Sequence, residues 1–239
     1  MENETKEFEE YNWIETIIVR GSGDILFKDD GTIVTDSKIS CDGTTLTFKA
    51  NSSGTINIRS VYTGSHITGS GSNITIGNSN FVNIVSINGK RIDLSKYNDE
   101  EKETKEPKKI YKLGKQCNIN YVSVAGSASI GNIPSKFVGD IFVAKVSGSG
   151  TIVLPQKTFL MLNVNVGGSG DVDGDGETFS DTLNAELSGS GDITGIHIKQ
   201  TGKLHLNGSG DIKVTATTPE NVEKYKSGSG SIKVYRLKI

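Results

Sequence analysis

The chain has 239 residues, of which 34% are hydrophobic and only 7% aromatic, and its formal net charge is −2. Such a composition is thin for an enzyme with a thick core, and it suits a narrow interior that needs one or two aliphatic side chains per strand. There is no basic excess to hold nucleic acid, and no run approaches the roughly 18 apolar residues that would signal a membrane-spanning helix.

The N-terminal MENETKEFEEYNW is acidic and lacks the apolar stretch of a secretory signal. The expected setting is therefore intracellular or within a virus particle, or the cell surface if export follows another route. Trp13, the single tryptophan, is expected to pack over an open end of the first structural unit. Ile17 and Val19 then lead into Gly21-Ser22-Gly23, with Ile25 and Phe27 after it. Looser strand-like stretches follow at Thr45–Phe48 and Gly54–Ile58. A second Gly-Ser-Gly starts at Gly69, with Asn73 in the slot where other copies place an aliphatic residue. Asp42-Gly43 and Asn88-Gly89 are tight-turn dipeptides, the latter predicting a hairpin over 85–94. Residues 1–97 thus read as an irregular β-solenoid half. Residues 98–109, NDEEKETKEPKK, contain no apolar residue and read as a charged linker or mobile loop, or a short surface helix ending before Pro107. Cys41 and Cys117 are expected as free thiols; their redox state depends on a spatial proximity that spacing does not give.

Residues 110–239 are more regular. Gly-Ser-Gly recurs at Gly148–Gly150, Gly168–Gly170, Gly189–Gly191, Gly208–Gly210 and Gly228–Gly230, in steps of 20, 21, 19 and 20 residues. Two positions before each copy stand Val146, Val166, Leu187, Leu206 and Lys226. Four before stand Ala144, Val164, Ala185, Leu204 and Lys224, and four after the first Gly stand Ile152, Val172, Ile193, Ile212 and Ile232. Polar residues alternate with them, which is the pattern of a half-buried strand. Glycine lets the chain bend at each copy, because it reaches positive φ at little cost. A fixed period near 20 marks stacked coils, each unable to bury its apolar face alone. The expected fold is an all-β parallel β-solenoid with about 20 residues per coil and little or no helix. Lys224 and Lys226 make the last copy atypical, as a terminal coil should be.

Few residues point to chemistry. Asp171, Asp173 and Asp175, with Gly176, resemble the opening of a calcium loop, but the twelfth position is Thr182 rather than Glu, and strands flank it on both sides. They are the one weak metal candidate; no cofactor and no catalytic residue is assigned. Asp24, Asp171, Asp192 and Asp211 follow the glycine motif so regularly that their expected role is to accept backbone N–H groups at the turn. His197 and His205 alternate with aliphatic residues, so they should point to solvent, and His66 sits in the looser half. The motif is no phosphate loop, since no Gly-Lys-Ser/Thr follows.

Ser188-Gly189-Ser190-Gly191-Asp192-Ile193, Asn207-Gly208-Ser209-Gly210-Asp211-Ile212 and Arg20-Gly21-Ser22-Gly23-Asp24-Ile25, together with the VSINGKRI segment from Val85 to Ile92, resemble the repeated phrase of the head GIN domain found in auto-transporter adhesins. The resemblance implies a right-handed β-helix-like solenoid. It also implies a non-catalytic structural or adhesive module that contacts a protein or glycan surface, or self-associates. The alternatives are a polysaccharide-cleaving β-helix enzyme, which a groove of converging carboxylates and aromatics would favour, and a scaffold component of a virion or cell.

Overall fold

The computed structural model describes residues 8–35, 37–49, 55–58, 68–69, 73–76, 84–87, 90–93 and 110–237. It is a β-solenoid built from parallel ladders, and the only helical pieces among the described residues are the short 3-10 turns Ser135–Phe137 and Pro219–Asn221. The chain forms two compact units, one of Met1–Ala50 with Lys108–Ile239 and one of Asn51–Pro107.

In the first unit each coil has a leading side that runs into the glycine motif and a following side that leaves it. The leading strands stack in parallel register in the order Thr45–Lys49, Thr16–Gly21, Ile119–Gly126, Val138–Gly148, Thr158–Gly168, the end of Asp171–Gly189, the end of Asp192–Asn207, and Val222–Ser227. Alternation dictates the core. Val19, Val124, Val146, Val166, Leu187 and Leu206 stand one above another, all essentially without solvent exposure. Ile25, Ile130, Ile152, Val172, Ile193 and Ile212 form a matching column on the following side. Each such side chain contributes roughly 1.5–3 kcal/mol by leaving water. The columns therefore outweigh the surface ion pairs, which contribute about 0–1 kcal/mol apiece. In the later coils a third side begins at Thr178, Ile196 and Val214, which also pair in register.

The stack begins earlier than the regular spacing suggests. Gly21 pairs with Gly126, which pairs in turn with Gly148, so the isolated N-terminal copy of the motif lies two coils beneath the first regular copy. The intervening chain is an insertion between adjacent coils, and for this reason a fixed period does not reveal the contact. The two units meet in the chain between residues 50 and 51 and between 107 and 108, the second point lying within the charged segment 98–109, which is outside the described residues.

The N-terminal end is closed by antiparallel strands. Lys38–Asp42 pairs along the far edge of Thr45–Lys49. On the following side Thr32–Thr35 pairs with Asp24–Phe27, Ile110–Leu113 with Thr32–Thr35, and Phe8–Tyr11 runs parallel to Ile110–Leu113. Phe27 and Phe48 meet edge to face at 6.5 Å, and Ile14 is fully buried. Trp13 does not cover the first coil: it is 66% exposed, on backbone with φ of 62°. Cys41 is exposed and Cys117 buried, both free; the Cys117 thiol donates to the Tyr11 carbonyl at 3.1 Å.

The second unit also contains parallel pairs. Thr55–Ile58 pairs with Asn73–Ile76, and Thr68–Gly69 with Ile84–Ile87, each offset by 18 positions (55 to 73, 68 to 86). Ile84–Ile87 and Lys90–Asp93 form an antiparallel hairpin at the position read from Asn88-Gly89.

Candidate binding faces of the solenoid

The glycine motif builds two columns in which backbone rests on backbone. A Cβ at Gly189 would lie 2.0 Å from the Gly168 carbonyl oxygen, and one at Gly148, Gly168, Gly208 or Gly228 would lie within 2.5 Å of the equivalent glycine's oxygen one coil earlier. The third position of the motif is tighter still. Cβ atoms at Gly191 and Gly210 would sit 1.8 Å from the oxygens of Gly170 and Gly191, and those at Gly150, Gly170 and Gly230 1.9–2.3 Å from the carbonyl below. Turn geometry explains the first glycine, where φ is 120° at Gly168 and 112° at Gly228. Close approach explains the third, which has no left-handed φ in the five regular copies. The Ser amides between them bond the coil beneath, as Ser190 does to the Gly168 carbonyl at 2.8 Å.

The aspartates act between coils rather than within a turn. The amide of Asp192 donates to Asp171 Oδ1 at 2.8 Å, that of Asp211 to Asp192 Oδ1 at 2.9 Å, and that of Ser231 to Asp211 Oδ1 at 2.9 Å. Where the coil beneath has a hydroxyl residue at this place, the amide goes to a carbonyl instead: Asp171 to Gly150 at 3.0 Å and Thr151 to Ala128 at 3.0 Å. Asp24 stands apart, because the Ser129 amide donates to the Gly23 carbonyl. Asp173 Oδ1 accepts from the Asp175 amide at 3.0 Å and from Thr194 Oγ1 at 3.1 Å. One carboxylate oxygen of Asp171 and one of Asp173, two of the three metal candidates read from sequence with Asp175, thus accept protein hydrogen bonds. Among the described residues no three His, Cys, Asp or Glu side chains gather into a group suited to a metal ion.

Asp211 is the most strongly held of the series. The Lys213 ammonium at 2.8 Å, then the Ser231 hydroxyl and amide, lower its carboxyl to about 2. A depressed carboxylate stabilises the fold above its unfolded value of about 4 and ceases to do so as pH falls through its folded value. Asp30, also lowered to about 2, by the Thr32 amide and hydroxyl, adds to the same window. Thermal melts should therefore show stability falling between about pH 4 and about pH 2. Asp211→Asn should flatten part of that fall; an unchanged profile would remove Asp211 from the account.

The outward positions of the leading side form flat rows along the stack. One row runs Ser123, Lys145, Asn165, Glu186, His205, Tyr225; the next runs Tyr121, Val143, Asn163, Asn184, Lys203, Glu223. Several neighbours are locked to one another. Asn184 Nδ2 donates to Asn163 Oδ1 at 2.9 Å, and Asn165 Nδ2 to Glu186 Oε2 at 3.1 Å. Glu186 thereby turns toward the earlier coil and away from His205. The His205 ring stacks on Tyr225 at 4.5 Å, with the Lys203 ammonium 5.5 Å from the Tyr225 centroid. His197 points outward as expected, yet it is engaged. Its ring packs on Phe179 at 4.6 Å, Nε2 donates to the Gly176 carbonyl at 2.6 Å, and Nδ1 meets Thr215 Oγ1. His66 lies outside the described residues.

A family model described as "Putative auto-transporter adhesin, head GIN domain" matches residues 67–236. The chain belongs to this family. No curated protein matches the chain. A crystal structure of a "putative adhesin" from Bacteroides fragilis is 16% identical to it at a TM-score of 0.41, with 97% of this chain and 94% of that chain covered. The glycine columns of this head GIN domain are the feature that its repeated motif announces. Neither the inter-coil carboxylate bonds nor the histidine stacks could be found from the motif alone. A signal for the bonds was present: Asp recurs on consecutive coils at Asp171, Asp192 and Asp211. Among the described residues no helix is long and apolar enough to cross a membrane.

Proposed function

We propose that this head GIN domain is a non-catalytic adhesive module whose leading side meets a protein or glycan surface. One observation carries the reading. Its outward rows are flat, are held in register by the stacked backbone, and present amides, hydroxyls and charges such as Asn165, Lys145, Ser188 and Lys203 to solvent. A rigid polar lattice of this kind binds without paying much side-chain or loop ordering. The regular carboxylates support the same reading, because Asp171, Asp192 and Asp211 each accept an amide from the next coil and do not converge on one point.

The test is adhesion of the full chain to arrayed glycans and immobilised surface proteins, run beside a screen for polysaccharide hydrolysis. Asp192→Asn with Asp211→Asn should retain binding, since an amide oxygen still accepts the inter-coil hydrogen bond. Hydrolysis by the wild type that vanishes in this double variant while it remains folded would overturn the reading in favour of a carbohydrate-cleaving enzyme.

A further inference from the structure

The two ends of the first unit are built differently. At the N-terminal end antiparallel strands finish the stack. At the other end, among the described residues, Val222–Ser227 and Ser231–Arg236 each have a ladder neighbour on one side only. Among those residues their other edges offer backbone N–H and C=O groups with no ladder partner.

Core register continues into this last coil, but the residue types change. Lys224 stands over Leu204, Lys226 over Leu206 and Arg236 over Ala216, where every earlier coil keeps these positions apolar or small. All three cations are exposed, whereas the residues beneath them are buried. Ile232 and Val234, over Ile212 and Val214, remain half-buried between them. The end is therefore an apolar floor flanked by three cations, with Tyr225 and Tyr235 exposed at its margin. Arg236 is tied to Glu220 at 3.3 Å; Lys224 and Lys226 make no ion pair among the described residues.

A further coil of the same kind would bury Lys224 and Lys226 without counter-charges, at a cost of several kcal/mol. A second copy of the same edge would set lysine against lysine. A strand added along Val222–Ser227, with carboxylates at the two positions facing the lysines, meets neither penalty. It would also satisfy the unpaired backbone edge. Repulsion of basic or identical edges and attraction of acidic ones together give selectivity. We propose that this end of the stack takes an extended acidic polypeptide segment of a partner as an added strand. The proposal rests on the adhesive reading and names the partner chemistry at one surface. A lipid surface is the less favoured occupant, because it would leave the backbone edge unpaired.

The test is calorimetric titration of the full chain with a capped peptide of about eight residues in which Glu and Val alternate, long enough for one strand. It should bind, with affinity falling as salt rises. Lys224→Glu with Lys226→Glu should weaken binding by about tenfold or more, the scale of losing close charge pairs. The matching Lys/Val peptide should not bind. Nor should a peptide of equal charge with Pro in place of Val, which cannot donate to a ladder. No binding of the Glu/Val peptide would overturn the proposal, and equal binding of the Pro peptide would reduce the site to charge attraction. Phosphatidylserine vesicles that bind wild type but not the double variant, with no peptide bound, would assign the end to lipid. If the double variant does not melt like wild type, Lys224→Gln with Lys226→Gln replaces it. Wild type that adheres to glycans or surface proteins while no acidic peptide binds would sink this assignment and leave the adhesive reading standing. Peptide binding without any adhesion would do the reverse.

Discussion

Gly191→Ala should destabilise the solenoid by about 3 kcal/mol or more, and Gly167→Ala should be close to neutral. Both residues are glycines in or next to a copy of the repeated motif, yet their surroundings differ in kind. A methyl at Gly191 would sit 1.8 Å from the Gly170 carbonyl oxygen and 2.8 Å from its carbon. Those atoms belong to backbone that is itself bonded into the stack, so no flexible side chain can yield. Room for the methyl would require parting two coils that are held by Ser190 and Asp192 hydrogen bonds on either side. At Gly167 the nearest atom is the Val146 oxygen at 3.9 Å, an ordinary contact, and its φ is not left-handed. Alanine there also narrows the unfolded ensemble, which offsets any small loss. Thermal or urea denaturation of both variants checks the pair. Equal stability of Gly191→Ala and wild type would show that the coils do not approach closely at the third position of the motif.

The core was legible because a solenoid repeats its environment. Val146, Val166, Leu187 and Leu206 are spaced by nearly one coil, so alignment on the glycines places them in one column without any knowledge of the fold. The same reasoning found Lys226 at the end of that column. It did not find the start. Val19 stacks on Val124, but an inserted unit separates them in the chain, and periodicity carries no information across an insertion of arbitrary length. The antiparallel cap escaped for a related reason, since Thr32–Thr35 and Ile110–Leu113 pair without belonging to any repeat. At the candidate surface, alternation gave the direction of His197 and His205 correctly. What each ring touches depends on the residue one coil away, Phe179 or Tyr225, and that needs the register as well as the direction. Trp13 shows the opposite error. A lone large aromatic was expected to cover apolar surface, but Phe27 and Phe48 already meet there.

Ile193→Asp should have a larger effect than Gly191→Ala. Ile193 has no solvent exposure and lies between Val172 beneath and Ile212 above. Its neighbours in register are aliphatic, so a carboxylate there finds neither a cation nor a backbone donor. Leaving a charge buried and unpaired costs several kcal/mol, or the group protonates and leaves a poorly hydrated acid in its place. The loss of the isoleucine side chain adds about 2–5 kcal/mol on the scale of large-to-small core changes. Marginal stabilities of about 5–15 kcal/mol leave little after that. In a stacked array the damage also spreads, because each coil is stabilised mainly by its neighbours. The coils above Ile193 should therefore lose their lower partner, and hydrogen exchange should quicken from Asp192 to Arg236 before it does in the N-terminal cap. Ser188→Asp places the same charge on the same coil but at an exposed outward position, and it should melt like wild type. If Ile193→Asp melts as wild type does, the aliphatic column does not point inward, and the stacked architecture fails with it.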